Sequence, residues 1–154
     1  MAIYTAFGQY QQTTSLTCFP SPDGTAMTLS FTNVPPPASG GVVTFYYQGD
    51  FNSGNEVYDV FDEASTNIGT SPFASGQCNS TLDSFKINLT VSQLATWAAD
   101  GIIDFSLDPD ASVSTTLCTP CTGAQAKIEY VAGGGPNDAA TFSVDSPTVF
   151  CAGT

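Results

Sequence analysis

The sequence predicts an all-β fold, an antiparallel β-sandwich of the jelly-roll type with one short helix. Apolar and polar residues alternate with a period of two in several short segments, as in strands with one buried and one solvated face. Clusters of Gly, Pro, Asn and Ser separate these segments and predict tight turns. Short strands at this spacing indicate a sandwich and not a parallel βαβ sheet.

The alternating segments run along most of the chain. Residues 56–63 and 3–7 are also rich in strand-forming residues, and turns are predicted at 20–24, 35–41 and 52–55. In the alternating segments the apolar residues occupy every second position: Met27, Leu29 and Phe31; Val43, Phe45 and Tyr47; Phe85, Ile87 and Leu89; Ile103, Phe105 and Leu107; Ala126, Ile128 and Tyr130.

One short helix is predicted after the segment that ends at Leu89. Thr90 and Gln93 have the spacing of a capping box, and Gly101 can end the helix in the left-handed conformation. Leu94 and Trp97 share one face of this helix. We therefore interpret Trp97 as a core residue at one end of the sandwich, and a sugar-stacking role as the alternative.

The chain divides into a module and a tail. Residues 1–131 form the predicted sandwich, and the Gly-rich residues 132–137 are a predicted linker. Residues 138–154 resemble a strand and are too short to fold alone. They are either the start of a next module or a strand donated to a neighbour, for which the candidates are Phe142, Val144 and Val149.

The charge balance restricts the possible partners. The chain has 14 acidic residues, two lysines, no arginine and no histidine, and its formal net charge is -12. Such a chain repels phosphate backbones and anionic lipid head groups, which argues against nucleic acid and membrane surfaces as partners. It also lacks an apolar run of about 18 residues, the length that a transmembrane helix needs.

The cysteines predict disulfides and a secreted, cell-surface location. Zinc is disfavoured, because histidine is absent and the CxxC motif at residues 118–121 has no second copy. The four cysteines before the linker permit three pairings, and we favour one pairing, which has two bridges. Cys151 lies beyond the linker. The favoured bridges join Cys78 to Cys118 and Cys18 to Cys121.

Calcium is the predicted cofactor. Asp50, Asn52 and Glu56 lie in a Gly-bearing loop, and Asp108 and Asp110 lie in a second acidic loop. These five residues are the predicted metal ligands, because Ca²⁺ prefers carboxylate and carbonyl oxygens and would relieve the repulsion between them. The alternative is a solvated acidic surface that serves solubility.

The residue types argue against catalysis. Without histidine there is no Ser-His-Asp or Cys-His centre. Paired carboxylates such as Asp50, Glu56 and Asp108 would suit a glycoside hydrolase, but carboxylates alone do not define an acid–base site. We therefore predict that the chain is not an enzyme.

Several short motifs resemble a known kind of repeat. Gly49-Asp50-Phe51-Asn52-Ser53 and Trp97-Ala98-Ala99-Asp100-Gly101 resemble a repeat of long secreted surface proteins of Bacteroidota-type bacteria, such as gliding-type adhesins. Phe150-Cys151-Ala152-Gly153-Thr154 resembles the opening of an adjoining immunoglobulin-like repeat in such proteins. The resemblance implies a β-sandwich module in a tandem array, often with calcium. The sandwich is also distantly similar to CUB-type domains, which carry an acidic calcium site at one end.

The predicted function is that of a non-catalytic structural or adhesive module of a cell-surface adhesin or filament. Its partners would be neighbouring copies, adjoining modules of the same protein, or glycans. A glycoside hydrolase is the second alternative. The first alternative is a carbohydrate-binding module with stacking faces from Tyr46, Tyr47, Tyr58, Phe61 and Trp97.

Overall fold

The computed structural model describes residues 3–4, 8–79 and 81–133. They form two stacked antiparallel sheets and one short helix, which confirms the predicted all-β sandwich. The strands in chain order are β1 (Ile3–Tyr4), β2 (Gln9–Thr13), β3 (Thr17–Cys18), β4 (Met27–Thr32), β5 (Pro37–Gln48), β6 (Tyr58–Phe61), β7 (Asn67–Thr70), β8 (Asp83–Leu89), β9 (Ile102–Pro109) and β10 (Gly123–Ala132).

Each sheet has a simple order of strands. The six-stranded sheet runs β1-β2-β10-β5-β8, with β3 paired to β10 as well. The four-stranded sheet runs β4-β9-β6-β7. From β4 to β10 the chain crosses from one sheet to the other at every step except between β6 and β7, which are neighbours in the same sheet.

The alternating segments became strands because their apolar side chains fill the space between the sheets. In β4 every second residue is buried, and Phe31, Phe45, Phe105 and Ile128 are fully buried. Aromatic rings pack edge to face across this core, as Phe45 does on Phe105 with ring centroids 5.5 Å apart.

The helix α1 (Val91–Trp97) closes one end of the sandwich. The capping box is formed as predicted, since the Thr90 side chain accepts from the Gln93 backbone N–H and the Gln93 side chain accepts from the Thr90 backbone N–H. A short 3₁₀ turn follows, and Gly101 ends it at φ 82°. Trp97 is 5% exposed and packs on Phe105, so the core interpretation is confirmed.

The turn predicted at 35–41 was wrong beyond Pro36. The strand β5 begins at Pro37, which pairs with Ala132 beyond an irregularity in the β10 register. Proline is tolerated at this first position of a strand because no ladder hydrogen bond needs its nitrogen. Gly41 lies within the strand, and a larger residue does not fit there because a Cβ would lie 2.4 Å from the Glu129 carbonyl oxygen.

The predicted linker overlaps the last strand. Ala132 belongs to β10, and the Gly133 N–H donates to the Pro36 carbonyl at 2.7 Å. The strand therefore extends one residue into the range 132–137. The tail 138–154, with Phe142, Val144, Val149 and Cys151, lies outside the described residues. No helix among the described residues is long and apolar enough to cross a membrane.

Candidate functional site: the acidic loops and their disulfides

Two disulfides cross-link the loops at the start of β10. Cys18 bonds to Cys121, which joins β3 to the segment before β10. Cys78 bonds to Cys118, which joins the loop before β8 to that same segment. Both bridges are the pairs that the sequence analysis favoured. Three chain segments that are distant in sequence are thereby fixed side by side.

Asp50 lies at the centre of these loops and is 3% exposed. Its Oδ2 accepts from the Ser114 backbone N–H at 2.8 Å, and its Oδ1 accepts from the Gln77 side-chain amide at 3.0 Å. Its own N–H donates to the Thr122 hydroxyl at 3.3 Å. The carboxylate thus connects the loops that the disulfides cross-link, and both of its oxygens are engaged by protein donors.

Glu56 organises its own loop. One carboxylate oxygen accepts from the backbone N–H groups of Asn52 at 3.1 Å and Ser53 at 2.8 Å. The Glu56 carboxylate therefore holds the 52–56 turn closed. Asn52 takes part through its backbone.

Asp108 and Asp110 lie at a shallow cleft of about 310 Å³, where Asp59 joins them. Asp59 and Asp108 are direct cross-strand partners on β6 and β9. Asp110 accepts from the backbone N–H and the hydroxyl of Ser112 at 2.8 and 2.7 Å, and these two hydrogen bonds lower the pKa of Asp110. Like charges directly opposite on neighbouring strands are destabilising, so this cleft is electrostatically strained.

The structure divides the five predicted metal ligands into two groups. Asp50, Asn52 and Glu56 belong to the loop at 50–56, where both carboxylates accept hydrogen bonds from the protein, while Asp108 and Asp110 line the cleft. Among residues 3–4, 8–79 and 81–133, no three Asp, Glu, Cys or His side chains are grouped as metal ligands. The residues therefore do not form a ready-made calcium site, and calcium binding stays a prediction.

A second acidic group lies at the other end of the four-stranded sheet. Partial burial raises the pKa of Glu63, the Asp104 N–H that donates to it at 3.1 Å opposes this, and the negative charges of Asp100, Asp104 and Asp62 raise the pKa further. One Asp104 carboxylate oxygen is buried without a hydrogen-bond partner among the described residues. The sequence analysis missed this group, because its members are brought together only by the sheet.

Most of the rings considered for sugar stacking belong to the core. Tyr47, Tyr58 and Trp97 are between 0% and 5% exposed. The Tyr47 hydroxyl donates to the Pro72 carbonyl at 2.9 Å, and burial together with the Asp83 charge raises the pKa of Tyr47 to about 12. Tyr46 and Phe61 are half-buried. Buried rings offer no face to a sugar, which weighs against the carbohydrate-binding alternative.

The arrangement is suited to holding loops in place and to presenting negative charge. Its most deeply placed carboxylate, Asp50, is used for internal hydrogen bonds, which leaves it unsuited to attack or protonate a substrate. No protein-family model matches this chain, and a search of curated proteins found no match.

Proposed function

We propose that the chain is a non-catalytic structural or adhesive module of an extracellular surface adhesin or filament. The observation that carries the proposal is the cross-linked loop end, where two disulfides and the buried Asp50 carboxylate hold three segments together. Such reinforcement benefits a module that bears load or resists proteases outside the cell.

The disulfides support both the location and the stability. Disulfides persist in oxidising compartments and are rare in the cytosol. The bridges span 103 and 40 residues of sequence. Loops of this length correspond to about 4 to 5 kcal/mol of stabilisation each in the chain-entropy model, although nested loops do not add fully. A domain of this size is thereby protected against unfolding.

Calcium is part of the proposal as a stabilising ion. In the cleft with Asp59, Asp108 and Asp110 a divalent cation would relieve repulsion, since two of the carboxylates are direct cross-strand partners. Their oxygens are the donors that Ca²⁺ prefers, and movement of the exposed side chains would complete the coordination.

Assembly through the tail is also part of the proposal. Among the described strands β8 pairs with β5 alone and forms the edge of the sheet, and its Phe85 and Ile87 are partly buried hydrophobics against the core. An added strand carrying Phe142, Val144 or Val149 would cover them. Deletion of residues 136–154 should then reduce or abolish the polymers that electron microscopy detects with the full chain, whereas a truncated chain that assembles to the same extent as the full chain would rule out strand donation.

A direct test compares the functions that compete. The full chain, with its disulfides intact, is examined for self-assembly by electron microscopy and for ligands on a glycan array in millimolar calcium. Activity screening on glycosides runs in parallel. We expect assembly or adhesion without glycan-specific binding or turnover. Saturable binding to one glycan would favour the carbohydrate-binding alternative, and hydrolysis would refute the proposal.

A further inference from the structure

Charge is divided unequally between the two outer faces of the sandwich. On the six-stranded sheet the outward charged side chains are Lys86, Lys127 and Glu129. On the four-stranded sheet they are Asp59, Asp104 and Asp108. In a chain of net charge -12, one face is therefore slightly positive and the opposite face is wholly negative.

The two lysines lie in one row across three strands. Thr44 on β5 is the direct partner of Lys127 on β10 and of Lys86 on β8. Two strand spacings separate the lysine backbones, which corresponds to roughly 9 to 10 Å. The Lys127 ammonium pairs with the Glu129 carboxylate at 2.9 Å, whereas Lys86 is exposed and forms no ion pair within the described part of the chain. We refer to the outer surface of the six-stranded sheet around Lys86 and Lys127 as the lysine face. Lys86 is its surplus positive charge.

A groove borders the lysine face. It has a volume of about 350 Å³, and its charged walls are Lys86 and Glu129, whose carboxylate is paired with Lys127. Gly40 and Gly41 also line it, where the backbone lies too close to Leu89 and Glu129 for a Cβ. An acidic surface that packs over this groove would therefore bring its carboxylates near the Lys86 ammonium.

The opposite face carries such carboxylates around its shallow cleft. Asp108 is exposed and lies beside Asp59, and the turn that follows is fixed by the Asp110–Ser112 hydrogen bonds and by the Val113 N–H donating to the Asp110 carbonyl at 2.9 Å. A cation placed against Asp59 and Asp108 would relieve their repulsion. We refer to these two residues and the turn at 110–112 as the acidic face.

We propose that the acidic face of one copy of this chain docks on the lysine face of a second copy, with Lys86 against Asp59 and Asp108. The sequence has two basic side chains in all, so an ion pair between side chains of two copies has to use Lys86 or Lys127. The inference rests on the proposed filament function and names the surfaces that would join its subunits.

The geometry also fixes the kind of assembly. The two surfaces lie on opposite faces of the sandwich, so the contact is heterologous and leaves one unused face of each sign at the two ends. A heterologous contact that does not close into a ring continues as an open array. Stacked sandwiches in a filament are the expected product.

The test measures association of the full chain by sedimentation velocity at a range of concentrations. EDTA is present to prevent calcium bridging, and the salt is about 0.15 M, where charges more than roughly 8 Å apart are screened. Wild type is expected to form concentration-dependent oligomers. Lys86→Gln should weaken association by about tenfold, since a contacting charge pair is lost.

Two variants make the test specific. Ser92→Glu, at an exposed position on α1, gives the same net charge as Lys86→Gln and should associate like wild type. Lys86→Asp and Asp108→Lys should each abolish association, and the double variant should restore it. A wild type that stays monomeric, equal effects of Lys86→Gln and Ser92→Glu, or no restoration in the double variant would each overturn the docking.

These outcomes separate the docking from the proposed function. Filaments that form in Lys86→Asp at the same protein concentration as in wild type would reject this contact and leave a structural module that assembles by another route, such as strand donation by the tail. A monomeric wild type that binds one glycan or cleaves a glycoside would reject both.

Discussion

Replacement of Asp50 by alanine is predicted to destabilise the fold markedly. The change removes the acceptor for the Ser114 N–H, which is partly buried, and for the Gln77 amide, which is exposed and can return to water. Only the Ser114 donor is left without a partner. Hydrogen bonds to charged groups contribute about 1.5 to 3 kcal/mol each, so the expected loss in free energy of unfolding is about 2 to 3 kcal/mol.

Asp50→Asn should cost less. An asparagine keeps one oxygen for the Ser114 N–H, and its amide can donate to a reoriented Gln77 side chain. We expect a loss under about 1.5 kcal/mol for this variant. The difference between the two variants isolates the hydrogen bonds from the burial of charge.

The measurement is urea unfolding with the disulfides intact, together with Tm, in EDTA so that no metal contributes. For a domain of this size the Asp50→Ala loss corresponds to about 6 to 10 °C in Tm. Asp108→Ala is the matched control, because this exposed carboxylate faces Asp59 and its removal should change stability by no more than about 0.5 kcal/mol. An Asp50→Ala variant as stable as the Asp108→Ala variant would refute the reasoning.

Three further predictions concern metal, charge and covalent cross-links. EDTA should lower the Tm and added Ca²⁺ should restore it, and identical melting curves would end the calcium hypothesis. Because the folded-state pKa of Glu63 is raised above its ordinary value of 4.5, ionised Glu63 destabilises the fold at neutral pH, and this cost disappears as the pH falls through that range. Glu63→Gln should therefore raise the Tm at pH 7 by a degree or two, corresponding to about 0.5 kcal/mol for a screened exposed charge, with no gain at pH 3; a lower Tm at pH 7 would contradict this. Replacing Cys78 and Cys118 together by alanine should cost about 3 to 4 kcal/mol in oxidised protein, measured by urea unfolding, and no loss would show that this bridge does not stabilise the fold.

Local chemistry was enough to predict the helix and most of the longer strands. Period-two alternation identified β4, β9 and β10, since each must bury one face and solvate the other. The capping box at Thr90 was readable because its two partners are three residues apart. The strand β2, with the sequence QYQQT, was missed because Tyr10 is its one strongly apolar residue.

The use of each acidic residue was decided by the tertiary structure. Asp50 and Asp108 are alike as sequence, each in a polar loop or at its edge. The Asp50 carboxylate accepts a hydrogen bond from Ser114, which is 64 residues away, whereas Asp108 lies on an outer face opposite another carboxylate. Sequence spacing alone does not encode such pairings, because they depend on strand order.

Residue types alone specify a disulfide-bonded, strongly acidic β-sandwich, because burial and charge are properties of individual side chains. The positions of the charges, in contrast, depend on the three-dimensional fold. Lys86 and Lys127 come from distant strands, and the register through Thr44 places them in one row on one face. Strand order, which arises from contacts across the whole fold, turned a uniformly acidic sequence into a sandwich with two different faces.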